Sequence, residues 1–341
     1  MDIFYLINEF NRIFWLYLEA AGKQLYTFSW YNTFMWVGIW CLFCFVLELM
    51  LPRNLDYKVV KRKGFWLDIF YVIFNDFLLM GLGFFAFMWV FEKAYLAGLG
   101  SIGIDSTVIF EIHDWPLWAQ ILVLFVIVDL MEFLAHYAMH RFNFLWAFHK
   151  IHHAQEEIGF ASSRHFHWGE IFVFKPFIYL PLSLLGYTAQ EYTILVLTLV
   201  YFAAFFSHTN VRLNFGFFNY LFITPQTHQW HHAKNMPHPH RYGVNFASVL
   251  PLWDLLIGTF YLPKDKREIP ELGVDDGNDM PKTFFGQFVY PFVFLLSKGK
   301  NKDNVFESSL QTEQVVANPI RQTTTSATQI RKKKPMKKRK K

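Results

Sequence analysis

Cysteine and charge are what this chain is short of. Its 341 residues include two cysteines, and 17% are Asp, Glu, Lys or Arg, where an average soluble domain carries about a quarter. Two thiols cannot build a secreted disulfide scaffold or ligate an iron–sulfur cluster. Cys41 and Cys44 have C-x-x-C spacing, but they sit inside the apolar run Trp36–Leu51 with no second pair. They read as buried thiols in a membrane helix rather than a zinc or redox site. Charge this sparse beside so much apolar residue excludes a disordered chain and argues against an ordinary cytosolic enzyme. A basic leader is missing too: Met1–Leu18 contains Asp2, Glu9 and Arg12, so no cleavable signal peptide is expected.

What fills the chain instead is apolar and aromatic: 53% hydrophobic residues, with 41 Phe, 16 Tyr and 12 Trp. A bilayer span needs about 20 mostly apolar residues. Phe28–Leu51, Phe65–Phe91 and Pro116–Ala135 meet that length. Ile171–Leu185 and Tyr192–Phe206 are shorter and joined by Gly186-Tyr187-Thr188, which suits a helical hairpin crossing part of the bilayer. Phe284–Leu296 is interrupted by Pro291 and reads as interfacial. The expected fold is an all-α polytopic membrane protein: three full spans, a short hairpin, and a His-rich helical cap holding a di-metal site.

Loop charge orients the spans. Arg53, Lys58, Lys61, Arg62 and Lys63 face a single acid, Asp56, in the first loop, whereas Lys93 alone faces Glu92, Asp105, Glu111 and Asp114 in the second. The positive-inside rule then places the first loop, the end of the third span at His136, and all that follows the hairpin in the cytoplasm. The net charge of +5 comes from the end of the chain: nine basic residues lie within Arg331–Lys341, leaving 23 basic against 27 acidic groups elsewhere. Such a tail suits anionic lipid head groups rather than nucleic acid. Four segments are expected: 1–115, membrane helices and outer loop; 116–262, the His-box domain; 263–310, a cytoplasmic or interfacial stretch; and 311–341, a disordered polybasic tail.

Fourteen histidines carry the chemistry. His136 and His140 form H-x3-H at the end of the third span; His149, His152 and His153 form H-x2-H-H, and His228, His231 and His232 repeat it. By chance such a triplet arises roughly 0.02 times in a chain of this length and composition. Residues three and four apart share a helix face, so each box is expected to aim its imidazoles at one point. Neutral imidazole suits iron, copper and zinc. Eight rings exceed what one ion needs, so two ions are expected, with His208 as a ninth ligand and His167 as a weaker tenth. His165, His238 and His240 read as surface or supporting residues, and His113, on the outer loop, is excluded. Asp129 and Glu132 lie on the stripe of His136 and His140, and carboxylates in a membrane helix are costly. They and Glu170, with Arg164, are candidates to orient metal-bound histidines. Gly98, Gly100 and Gly103 spell G-x-G-x-x-G, but without a βαβ unit they read as a flexible loop.

Residues Asp129 through Thr259 resemble the fatty acid hydroxylase superfamily, in its sterol-desaturase-type branch. The resemblance rests on the histidine set, on Asp129 seven residues before His136, on Leu145-Trp146 leading into His149, and on Trp253-Asp254-Leu-Leu-Ile-Gly258-Thr259. Arg164–Glu170 resembles the family's Arg-x-His-Pro-x-Glu region, with Trp168 in place of Pro and Arg164 one position early. Tyr137 stands where Arg is common and Ala154 where Ser is common. The resemblance implies a non-haem di-iron membrane enzyme that uses O2 and two external electrons on an unactivated C–H bond. Its substrate would be a membrane lipid such as a sterol, fatty acyl or ether lipid, and its product an alcohol or an alkene. The implied ligands of the two Fe ions are His136, His140, His149, His152, His153, His208, His228, His231 and His232, with His167 as a further candidate. No reductase is encoded, so a ferredoxin or cytochrome b5-like donor is expected. A metal or haem transporter is the competing class, and an inactive scaffold the third.

Overall fold

The computed structural model describes residues 3–24, 33–53, 58–104, 108–186, 200–235, 242–264, 268, 270–274 and 280–298. The chain divides into two compact units, Met1–Tyr290 and Pro291–Lys341. Of the second, the described residues are the last turns of a helix that begins at Phe284. The polybasic tail, His238, His240 and the hairpin turn beyond Gly186 lie outside the described residues.

Helices account for all regular structure among the described residues, apart from the isolated bridges Pro52–Val211 and Ala233–Leu272. They are α1 (Ile3–Gln24), α2 (Thr33–Met50), α3 (Phe65–Val72), α4 (Phe85–Ser101), α5 (Leu117–Arg141), α6 (Asn143–His153), α7 (Ile171–Ser183), α8 (Tyr201–Ser207), α9 (Pro225–His231), α10 (Leu252–Ile257) and α11 (Phe284–Lys298). A π-helical segment, Ile73–Phe84, joins α3 to α4, so helical backbone runs unbroken from Phe65 to Ser101. One described helix, α5, is long and apolar enough to cross a membrane, and 22% of its apolar window is buried inside the protein.

Several expectations change on contact with this fold. Pro291 does not break α11, which continues to Lys298. Gly98 and Gly100 lie in the last turn of α4 rather than in a loop, and Gly103 follows with φ 83°, the left-handed geometry in which glycine ends helices. The amphipathic helix α1, against α4 and the π segment, was not expected at all. The third span runs six residues past Ala135, so His136 and His140 belong to α5 itself.

Three acids placed within apolar helices tie these helices to the histidine region. Glu48 of α2 accepts the N–H groups of Phe160 (2.6 Å) and Asn210 (2.9 Å). Asp68 of α3 accepts Arg62 (2.6 Å) and Ser162 (2.6 Å) and pairs with His165. Asp76, in the π segment, takes the Arg164 guanidinium through two hydrogen bonds and Tyr201 at 3.3 Å. All three carboxylates are fully buried, where an unpaired charge is prohibitively costly; their partners turn that cost into fixed geometry for residues 159–166. Around these ties Val37, Cys44, Phe65, Val72, Phe160 and Phe205 form one apolar core, and Leu124, Val128, Ile178 and Leu182 form another where α5 meets α7.

Candidate metal centre

Local sequence sets each histidine in place. At α9, Thr224 caps the helix: its hydroxyl accepts the Thr227 N–H, Thr227 returns the bond to Thr224 N, and Pro225 opens the first turn. This Thr-Pro-x-Thr start fixes the rotation of His228, His231 and His232. Extended Phe142 stops α5 and starts α6, folding His149, His152 and His153 back against His136 and His140. His208 caps α8.

Nine buried or half-buried imidazoles then converge in two groups. His136, His140, His149, His153 and His231 bring ring nitrogens within 4.8 Å of one another, and His152, His208, His228 and His232 do the same. Each H-x2-H-H box therefore serves two points rather than one, whereas His136 and His140 serve the same point. The helical repeat explains the split. Successive residues are about 100° apart, so i+4 lies about 40° to one side of i and i+3 about 60° to the other. His149 and His153 share one group while His152 turns to the second; His228 and His232 share the second while His231 turns to the first.

Oxygen acceptors set the tautomers. The Nδ1–H groups of His136, His140 and His231 donate to the carbonyls of Phe246 (2.6 Å), Tyr242 (3.1 Å) and Val244 (2.8 Å). His149 Nδ1–H donates to Glu170 Oε2 at 3.0 Å, His152 to the His165 carbonyl at 3.2 Å, and His208 to the Ala204 carbonyl at 2.8 Å. With the proton on Nδ1, each Nε2 presents a lone pair. Yet Nε2 of His136 lies 3.1 Å from that of His149, and Nε2 of His208 lies 3.2 Å from that of His152. The Nε2 atoms of His140, His153 and His231 are buried without any hydrogen-bond partner. Lone pairs facing one another in a buried site are repulsive unless a cation lies among them, so the donor set fits two metal ions. Burial, reinforced by neighbouring rings, holds His231 down to about 3 and His152, His153, His228 and His232 well below the ordinary imidazole value; burial brings His208 to about 4. These six rings are therefore neutral, as metal ligation requires.

The chain 242–247 is the frame for three of these rings. Asn245 adopts a left-handed conformation, φ 55°, and is locked by hydrogen bonds to Thr227 and Tyr261. That turn lets the carbonyls on either side of it reach His231 and His136. Asp254 holds the frame from behind, accepting Phe246 N (2.9 Å), Ala247 N (2.8 Å) and the Thr259 hydroxyl (2.6 Å).

The expected supporting residues fare differently. Glu170 accepts the ring N–H of His149. Asp129 touches no histidine: it accepts Val249 N, Leu250 N and Trp253 Nε1. Glu132 accepts the Ser248 hydroxyl and lines the central cavity. His167 joins neither group, because its Nε2 meets the Phe288 carbonyl (2.9 Å) and its Nδ1 accepts the Gly169 N–H (3.0 Å). Arg164 is held by Asp76, and His165 by Asp68 and Gln287. His113 meets the Gly186 carbonyl, apart from both groups. Glu48, Asp68, Asp76 and Asp254 were missed; an acid inside an apolar run was the available signal, applied only to Asp129 and Glu132.

A cavity of about 170 Å³ opens onto both groups, reaching His136 and His149 of the first and His152, His208 and His228 of the second. Phe174, Ile171, Val200 and Tyr201 supply apolar wall, and Asn75, Glu132, Arg164 and Lys175 polar wall. Residues 121–259, which hold all nine converging histidines, match the fatty acid hydroxylase family. The chain carries the domain of the fatty acid hydroxylase superfamily. An ornithine lipid hydroxylase of Rhizobium tropici is 28% identical over 179 residues, 52% of this chain and 52% of that protein. Alkylglycerol monooxygenases of Xenopus tropicalis (28% over 159 residues) and Homo sapiens (31% over 144) match 45% and 42% of this chain, and 32% and 31% of their own. The matched part thus spans 31% to 52% of the length of these relatives. No solved structure matches. Within the hydroxylase domain lie Asp129, Glu132, Glu170 and Asp254, whereas Glu48, Asp68 and Asp76 precede it.

Proposed function

We propose that this protein is a membrane-bound, O2-dependent lipid hydroxylase, an oxidoreductase with two non-haem iron ions. The observation that carries the proposal is the pairing of two all-imidazole groups with one cavity that reaches both. His136, His140, His149, His153 and His231 would hold one ion, and His152, His208, His228 and His232 the other. When bound, the two irons supply activation of O2 with two electrons from outside, so that an unactivated C–H bond can be oxidised. The chain's own residues do the rest. Carbonyls of 242–246 and the carboxylate of Glu170 hold the ring protons of His136, His140, His231 and His149 on Nδ1, keeping Nε2 free to ligate. Apolar walls from α7 and α8 exclude water and take up a lipid chain, while Glu132 and Lys175 face its polar end.

The wider reading is polytopic: α2, the Phe65–Ser101 run and α5 as full spans, α7 and α8 as a partial hairpin, and residues 116–262 as the catalytic domain. The metal groups and the basic tail would face the cytoplasm, and a ferredoxin or a cytochrome b5-like protein would supply electrons. The similarity to lipid hydroxylases and monooxygenases supports lipid oxidation over metal or haem carriage. Untargeted lipid mass spectrometry on membranes from cells expressing the wild type or His231→Ala, with oxygen and a matched reductase, tests the reading. A lipid that gains one oxygen only with the wild type supports it; loss of two hydrogens instead makes the enzyme a desaturase. Identical lipids from both, with the wild type folded and iron-loaded, overturn it.

A further inference from the structure

An uncharged apolar surface lies uncovered beside the middle of α5. Asp129 is the central residue of that 25-residue helix. Its buried carboxylate accepts Val249 N (2.9 Å), Leu250 N (3.2 Å) and Trp253 Nε1 (2.8 Å), so the start of α10 lies against the helix midpoint. The hydrocarbon of a bilayer takes up about 20 helical residues. Whichever 20 of the 25 lie in it, Asp129 is at least seven residues from either boundary, about 10 Å at 1.5 Å per residue.

The segment anchored at that depth shows apolar side chains to its surroundings. Leu252, Leu255, Leu256 and Ile257 are 45%, 44%, 69% and 51% exposed. The 3₁₀ turn Gly216–Tyr220 adjoins it, tied by Ile223 N to the Val249 carbonyl (2.8 Å) and by the ring contact of Tyr220 with Phe260. That turn and the two residues after it add Phe217 at 70%, Phe218 at 60% and Phe222 at 50%. Across 216–222 and 252–257 the one charged residue is Asp254, fully buried and engaged with 246, 247 and 259. Irregular backbone in hydrocarbon must have its N–H groups satisfied by protein, because water is absent. Asp129 does this for Val249 and Leu250, which gives a mid-helix carboxylate a reason to be there.

We propose that this face is immersed in lipid acyl chains: beyond the hairpin the chain dips back into the bilayer, and α10 with the 216–222 turn forms a re-entrant, lipid-embedded shoulder on α5. The proposal rests on the reading that α5 crosses the bilayer, and it departs from the cytoplasmic placement of residues 208–262. Its consequence is that the frame 242–247, which sets three histidine tautomers, hangs from a lipid-embedded anchor.

Spin labels test it in the full chain with Cys41→Ala and Cys44→Ala, reconstituted in phosphatidylcholine–phosphatidylglycerol vesicles. Single cysteines at the exposed positions Leu256→Cys and Phe217→Cys are compared with Leu122→Cys on α5 and with Lys264→Cys, which is exposed beyond the patch. Power saturation with oxygen and with a water-soluble nickel chelate gives the accessibility ratio. The expected result is an oxygen-dominated ratio at positions 256 and 217 matching that at 122, with 264 nickel-dominated. Nickel-dominated 256 and 217 beside an oxygen-dominated 122 overturn the shoulder and leave the span standing. Shielding of 256 and 217 from both reagents means a protein partner or second copy covers the face, and also overturns it. A nickel-dominated 122 removes the spanning reading, and the shoulder falls with it.

Discussion

Replacing Glu170 separates the two metal groups by experiment. Glu170 and His149 are both about 5% exposed, and their 3.0 Å contact is, among the described residues, the one carboxylate bond to a ring in either group. Glu170→Gln keeps an oxygen that can still accept the Nδ1 proton but removes the charge; Glu170→Leu removes both. Losing such an orienting partner weakens metal affinity by about 10–100-fold, so the glutamine variant is expected near the tenfold end, about 1.4 kcal/mol, and leucine near the hundredfold end, about 2.7 kcal/mol. The loss should fall on the five-histidine group. The ring protons of His152 and His208 go to backbone carbonyls that Glu170 does not touch. Anaerobic Fe(II) titration of metal-free protein against a competing chelator reads two affinities, and one should shift while the other stays. Equal weakening of both, or an unchanged leucine variant, would refute the assignment of Glu170 to His149 and of His149 to one group.

Other outcomes follow from the same geometry. His167→Ala should retain two ions per chain by metal analysis, because both its ring nitrogens are committed to backbone; loss of an ion would restore it as a ligand. Asp254→Ala strands the N–H groups of Phe246 and Ala247. Allowing for relief of carboxylate burial, it should cost roughly 2–4 kcal/mol, read as a lower Tm; an unchanged Tm contradicts the framing role. The pH dependence of metal-free protein is set by depressed imidazoles. With His208 near 4 and His231 near 3 against an ordinary 6.5, the unfolded chain binds more protons below 6.5. Stability is therefore full above that pH and lost as pH falls through the interval. A Tm that stays flat from pH 7 to 4.5 would contradict this.

The histidine boxes were legible because identity and spacing alone distinguish them from chance, and His208 because it follows an apolar run on the expected side. The division of each triplet was not, since i+3 and i+4 were treated as one face when they straddle it by about 100°. His167 looked like a ligand by its neighbourhood; only the position of the Phe288 carbonyl, 121 residues away in sequence, shows that its ring is already committed. Asp129 was singled out as an acid in an apolar helix, but its partners sit 120 and more residues on, where no periodicity points. Asn245 gave no signal, because its left-handed turn serves carbonyls rather than side chains. Helix α1 was passed over because its mixed polarity over Ile3–Gln24 fits neither a span nor a leader.

The crossing of each triplet between two groups makes the α-helix a ruler. His152 and His153 are neighbours that must diverge, and so are His231 and His232. The separation of the two groups is thus cut into the pitch of α6 and α9, not left to a bridging side chain that could flex. Exchanging Ile151 with His152 would keep the number of rings and destroy the graduation. The cavity wall of Ile171, Phe174 and Tyr201 could vary residue by residue while this spacing stayed fixed.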